Sequence, residues 1–130
     1  MINSIVVISC FFILCCIGQN KSINDNKIYA TNEVDSLPSF PGGEEGMRQH
    51  ISRNIKWVVD SDVSGKVYLS FVVNYDGTIS NITIEKGLCD KCDQEAIRVV
   101  KTMPLWRPGQ LNGRSVKTKV MINISFKIIG

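Results

Sequence analysis

The sequence predicts a small α+β domain in which a three-stranded antiparallel sheet carries two helices on one face, in the order helix, strand, strand, helix, strand. Two alternating apolar stretches flank Asp76-Gly77, and a third alternating stretch runs to the end of the chain. Two further stretches repeat apolar residues at helical spacing. With 130 residues, the chain has room for a single domain.

The first helix is predicted over residues 44–55. Met47, Ile51 and Ile55 recur at a spacing of four residues. Two acidic residues stand in what would be the first turn, where they oppose the positive end of the helix dipole. This pattern indicates a short amphipathic helix.

The next element is a predicted β-hairpin. Residues 66–74 place apolar side chains at every second position, and Ile82 and Ile84 continue that alternation after the turn. Asp-Gly between two alternating runs is a strong hairpin signal.

A second helix is predicted after the hairpin. Asp90 and Asp93 form a candidate capping pair, and Pro104 ends the segment. The apolar positions at helical spacing are Ala96, Val99, Val100 and Met103.

The last predicted strand has the most regular alternation in the chain, from Val116 to Ile128. A long strand at a chain terminus favours a sheet edge whose backbone can pair with an incoming peptide. Lys117, Lys119 and Lys127 project from the outward face. They either discourage self-pairing or attract an acidic extended segment, and the two roles are compatible.

The first 39 residues differ from the rest. Residues 1–18 are uncharged and mostly apolar, which is typical of a signal peptide. A retained membrane anchor and a lipid anchor at Cys16 are the alternatives, and all three imply export. Residues 19–39 are predicted to be a polar linker, and residues 40–130 the folded domain.

The net charge of +3 is unevenly distributed. Residues 21–95 contain 8 basic and 12 acidic side chains, whereas residues 96–130 contain 7 basic side chains and no acidic one. This short basic segment is not the broad basic surface with interleaved aromatics that nucleic-acid binding needs, so no nucleic-acid partner is expected.

The sequence contains no constellation that predicts catalysis, a metal site or a cofactor. His50 is the single histidine, and its place beside Ile51 is typical of a boundary position on a helix. Cys89 and Cys92 have three interpretations: a local disulfide at the turn into the second helix, a redox-active pair, or free thiols.

The chain resembles the C-terminal domain of TonB, the energy transducer of Gram-negative bacteria, in its Bacteroidetes-type form. The resemblance covers about residues 37–128. It rests on the order and spacing of the following motifs: Pro38-Ser39-Phe40-Pro41-Gly42-Gly43, Gly65-Lys66-Val67, Phe71-Val72-Val73-Asn74-Tyr75-Asp76-Gly77-Thr78-Ile79, Glu95-Ala96-Ile97-Arg98-Val99-Val100, Met103-Pro104-Leu105-Trp106-Arg107-Pro108-Gly109, Asn112-Gly113 and Ile124-Ser125-Phe126-Lys127-Ile128.

The resemblance implies peptide binding in the periplasm rather than catalysis. Family members add the TonB box of an outer-membrane transporter as a strand beside their last strand, and they receive work from inner-membrane, proton-driven motor proteins. By position, the docking strand comprises Ser115, Val116, Lys117, Thr118, Lys119, Val120, Met121, Ile122, Asn123 and Ile124. A second contact segment comprises Lys56, Trp57 and Val58.

Two alternative functions follow from the residues. The linker reaches at most about 70 Å when extended, which favours a stand-alone peptide-binding or structural module that transmits no force. A small exported thiol-disulfide protein that uses Cys89 and Cys92 is the second alternative. A homodimer through the same strand edge is left open.

Overall fold

The computed structural model describes residues 26–56 and 64–127. In chain order, the elements are strand β1 (Ile28–Tyr29), a 3₁₀ helix (Thr31–Glu33), helix α1 (Gly43–Asn54), strand β2 (Gly65–Val73), strand β3 (Ile79–Lys86), helix α2 (Asp90–Lys101), strand β4 (Gly109–Leu111) and strand β5 (Arg114–Phe126). The N-terminal segment 1–18 lies outside the described residues, as do Trp57 and Val58.

The predicted hairpin is confirmed as β2 and β3. Asn74 N donates to Thr78 O at 2.8 Å and Gly77 N donates to Asn74 O at 2.9 Å, which closes the turn. Strand β2 also pairs antiparallel with β5, in continuous register from Gly65 opposite Phe126 to Val73 opposite Thr118. Strand β2 therefore lies at the centre of the sheet.

The predicted sheet of three antiparallel strands is wrong in strand number and direction. The sheet has five strands, in the order β1-β5-β2-β3 with β4 also paired to β5, and β1 runs parallel to β5. Strands β1 and β4 are two and three residues long, which is too short for alternation to register. Asn112 and Gly113, both with positive φ, form the two-residue turn that joins β4 to β5.

The α+β class and the two helices on one face are confirmed. Valine, leucine and phenylalanine side chains of β2 and β5 form a core cluster with Cys92, Ala96 and Val100 of α2. Met47, Ile51 and Ile55 pack against the same cluster. The odd-numbered residues of β5 from Lys117 on lie on the opposite, less buried face.

The helix boundaries match the prediction closely, with one correction. The N-cap of α2 is Cys89, whose sulfur accepts a hydrogen bond from Cys92 N at 3.0 Å, and not Asp90. Within α1, Gly46 is required because a Cβ there would overlap with the Pro41 carbonyl oxygen.

The second half of the predicted linker pairs with the sheet. Beyond β1, Ser36 forms a bridge with Gln110, and Ser39 forms one with Arg107. Asp35 Oδ2 accepts a hydrogen bond from Asn112 N at 2.9 Å. The sequence predicts a linker here because the side chains of this segment are mostly polar. Most of the bonds that hold the segment to the sheet are made by the backbone, and side-chain polarity does not report them.

Candidate functional site

Strand β5 has two parts that differ in their neighbours. In the first part, Arg114–Val116 pairs with β4, and Lys117–Thr118 pairs with β1 on the side opposite β2. In the second part, Lys119–Phe126, no described strand pairs with the side that faces away from β2. This second part, the open edge, has backbone N–H and C=O groups that a further strand could pair with, and Thr31 and Glu33 line a surface cavity together with its first residues, Lys119–Met121.

The predicted docking strand, Ser115–Ile124, crosses both parts. Its residues Ser115 and Val116 pair with β4, and Lys117 and Thr118 pair with β1 on the side that faces away from β2, so the expectation of a free edge is wrong for Lys117 and Thr118. Residues Lys119–Ile124 lie in the open edge. The apolar pair Ile28-Tyr29, within an otherwise polar segment, is the signal that could have indicated β1.

Short-range contacts hold β1 in place. Glu33 accepts a hydrogen bond from Ala30 N at 3.2 Å and pairs with Lys27, also at 3.2 Å. The Lys27 ammonium lies 4.6 Å from the centroid of the Tyr29 ring. The hydrogen bond from the Ala30 backbone, followed by the bond and charge of Lys27, lowers the pKa of Glu33.

An apolar groove of about 450 Å³ lies beside residues Val120–Ile122 of the open edge. Its other walls come from Leu37–Phe40 and from the first turns of α1, including Met47. Leu37 is 60% exposed, so one wall presents apolar surface to solvent. This edge groove adjoins the unpaired side of β5.

Trp106 lines the edge groove from the core side. Its side chain is 7% exposed, and its ring packs edge-to-face against Phe40 and Phe71, at centroid distances of 5.7 and 5.4 Å. Trp106 N donates to Gly77 O at 2.9 Å, which fixes the loop to the β2–β3 turn. Trp106 therefore covers this edge of the core. Its indole Nε1 is buried and has no hydrogen-bond partner within residues 26–56 and 64–127.

One of the three lysines predicted on the outward face of the last strand, Lys119, has an acidic partner within the same sheet. Lys119 Nζ lies 3.7 Å from Glu85 Oε1, and the same oxygen accepts a hydrogen bond from Ser70 Oγ at 2.6 Å. The Ser70 hydrogen bond, and then the charge of Lys119, lowers the pKa of Glu85. Lys119 therefore pairs with a residue of β3 across the face of the sheet that the helices leave uncovered, and it is also the first residue of the open edge.

Lys56 is the one residue of the predicted second contact segment that the structure describes. Its backbone N donates to Glu95 Oε1 at 3.4 Å. Glu95 is 9% exposed and pairs with Arg98, which also donates to Asn54 O. The hydrogen bond that Arg98 donates to the Glu95 carboxylate raises the pKa of Arg98. This network ties the end of α1 to α2 immediately before Trp57.

The predicted disulfide between Cys89 and Cys92 is present in the structure. Cys92 is fully buried in the core cluster, and Cys89 packs against that cluster with part of its surface exposed. The bond therefore joins the N-cap of α2 to the core. Such a position favours the structural interpretation over the redox one.

His50 lies at the boundary between α1 and the end of α2. Its Nε2 is 3.1 Å from Thr102 Oγ1, and its ring centroid is 5.5 Å from that of Phe40. In the part of the chain that the structure describes, no group of three or more His, Cys, Asp or Glu residues is arranged to hold a metal ion. Within those same ranges, no helix has the length and apolarity needed to cross a membrane.

Residues 58–128 match the family described as the Gram-negative bacterial TonB protein C-terminal. The matched range covers more than half of the chain and contains β2, β3, α2, β4 and β5. Strand β1, α1 and the groove wall at Leu37–Phe40 precede it. No curated protein and no solved structure matches the chain. On the strength of the family match, the chain belongs to the TonB C-terminal domain family.

Proposed function

We propose that this domain binds the TonB box of an outer-membrane transporter by adding it as a strand to the open edge, and so supports energy-coupled transport. The family consists of non-enzymatic, transport-related domains, and the periplasm is the compartment in which such a domain meets the box. The open edge Lys119–Phe126 carries the proposal.

The regular pairing behind the open edge supports strand addition. Residues Thr118–Phe126 of β5 stay in unbroken register with β2. An incoming strand therefore meets a backbone that is already extended and held, which lowers the ordering cost of binding. At about 3.3 Å per residue, the eight residues of the open edge span roughly 26 Å, enough for a box peptide of similar length.

N-methylated peptides test strand addition directly. In an added strand, alternate residues direct their N–H groups toward β5, and the residues between them direct theirs to solvent. Two versions of one transporter box peptide, each N-methylated on one alternate set, keep the side chains and remove different donors. We expect one version to lose binding by calorimetry and the other to bind nearly as the parent does. Equal binding, or equal loss, in the two versions contradicts strand addition.

Three finer features of the proposal have their own tests. Mass spectrometry of the mature N-terminus distinguishes a cleaved signal peptide, a retained anchor and a lipidated Cys16. Co-purification from membranes with proton-driven motor proteins tests force transmission against a stand-alone module. Replacement of Cys89 and Cys92 by serine leaves peptide binding intact, because neither residue lies at the open edge, whereas the thiol-disulfide alternative requires both.

A further inference from the structure

We propose that the edge groove is a side-chain pocket for the added strand, so that this domain selects extended segments of a partner protein with an apolar residue at a defined position. The inference rests on the proposed strand addition and extends it to sequence selectivity. The groove walls at Leu37–Phe40 and Met47 precede the family match over residues 58–128. The outer walls of the pocket therefore come from a part of the chain that the match does not cover, whereas Trp106, Val120 and Ile122 lie within it.

The position of the groove follows the geometry of an added strand. Such a strand lies about 4.8 Å beyond β5, and its side chains alternate between the two faces of the sheet. Val120 and Ile122 point toward the helices and line the groove. Side chains of the added strand on that same face therefore lie beyond Val120 and Ile122, where the groove opens.

The size and chemistry of the groove fit an apolar side chain. A cavity of about 150 Å³ lined by Leu, Ile and Phe holds a benzene molecule, and the edge groove has about 450 Å³. Its walls are mainly apolar, from Leu37, Phe40, Met47 and Trp106. The exposed Leu37 loses contact with water when the groove fills, which favours an apolar occupant.

The opposite face of the added strand meets a different surface. There, the neighbouring β5 side chains are Lys119, Met121 and Asn123, and Lys119 keeps 55% of its side chain exposed although it lies 3.7 Å from Glu85. An extended partner segment with apolar residues toward the groove and acidic or polar residues toward Lys119 therefore complements both faces. A second copy of this chain is a poorer occupant, because its own β5 would bring further lysines to that face.

The matched variants are Leu37→Ser and Leu105→Ser in the full chain. Both leucines are exposed, at 60% and 63%, but Leu105 does not line the groove. With a transporter box peptide as the probe, we expect Leu37→Ser to weaken binding by roughly tenfold, the order that losing one apolar contact produces. Leu105→Ser should change it by less than about twofold. Equal affinities for the two variants overturn the proposal.

Two further measurements keep the proposal separate from folding effects and from the proposed function. A serine scan of the peptide should lower affinity at one or two alternate positions, and NOEs should join those side chains to the Met47 methyl group. If N-methylation shows strand addition but the NOEs are missing, the groove proposal fails and the proposed function stands. Concentrated protein without peptide is the remaining case. If it has a doubled mass and shows NOEs from a second copy to the Met47 methyl group, the occupant is that second copy and the proposal is wrong.

Discussion

The two edges of the sheet are built differently, although both belong to strands with polar outer residues. The β3 edge is irregular, because its register with β2 shifts twice and Asn81 has a φ of 53°. The open edge of β5 is backed by a register that contains no shift. Bulges discourage a further strand from pairing. The contrast indicates that the fold protects one edge and keeps the other available.

The largest expected effect on stability comes from removing the Trp106 side chain, which packs in the core beside the open edge. Trp106→Ala should lower the free energy of unfolding by about 3–5 kcal/mol, because a buried aromatic side chain is replaced by a cavity. Trp106→Phe keeps a ring and removes the unpartnered indole N–H, so we expect a loss of at most about 1.5 kcal/mol. Urea unfolding of the two variants measures the difference. Similar losses in both would mean that the ring packing is not what stabilises this edge.

The bulge at Asn81 tests how the β3 edge is protected. Asn81→Val puts a β-branched residue at a positive φ, which costs roughly 1–2 kcal/mol of stability. Asn81→Gly suits the same backbone and should stay within about 0.5 kcal/mol of the parent. Urea midpoints provide the comparison, and an Asn81→Val midpoint equal to that of the parent would contradict the strain assigned to the bulge.

Acidification should weaken the pairing of β1 with β5, so that Lys117 and Thr118 lose their strand partner and the unpaired part of β5 becomes longer. The folded-state pKa of Glu33 is below its ordinary value of 4.5, so its stabilising effect is complete above that pH and is lost as the pH falls through the lowered pKa. We expect Glu33→Gln to accelerate amide exchange around Ile28–Tyr29 and Lys117–Thr118 at neutral pH. Glu45→Gln removes the partner of an exposed i,i+3 ion pair with Arg48 and should leave exchange at those sites unchanged.

The smallest effect concerns the ion pair beside the open edge. Because Lys119 and Glu85 are 55% and 35% exposed, Lys119→Gln should lower stability only slightly, and the difference should disappear at high salt. The pKa of Glu85 should rise but stay below its ordinary value, since the Ser70 hydrogen bond is the larger cause of its depression. An NMR titration measures this, with Lys127→Gln as the control. A Glu85 pKa that does not move would exclude the pairing.

The long helices and strands could be predicted from the sequence, whereas the two short strands could not. Strand β5 and both helices have enough turns or alternations for periodicity to identify them. Strands β1 and β4 depend on backbone pairing with β5, of which a pattern of two or three residues, such as Ile28-Tyr29, gives only a weak signal. For this reason the sequence predicts one uninterrupted edge where the structure has a paired part and an open part.

The edge groove was equally inaccessible to sequence analysis. Leu37, Phe40, Met47, Trp106 and Val120 come from separate segments of the chain, and only their packing creates the groove. Trp106 carried a partial signal, because a tryptophan beside Pro108 and Gly109 suggests a turn that covers a core. The bulge at Asn81 is similar, since asparagine tolerates a positive φ but also occurs in regular strands.

Amide hydrogen exchange of the domain with and without a transporter box peptide tests strand addition at the open edge most directly. In the free domain, the outward amides of the open edge have no strand partner among the described residues and should exchange quickly. With peptide bound, every second amide from Lys119 to Phe126 should become protected, and the β3 edge at Ile79–Lys86 should not change. Protection of the β3 edge, or unchanged exchange along Lys119–Phe126 at saturating peptide, would contradict the account.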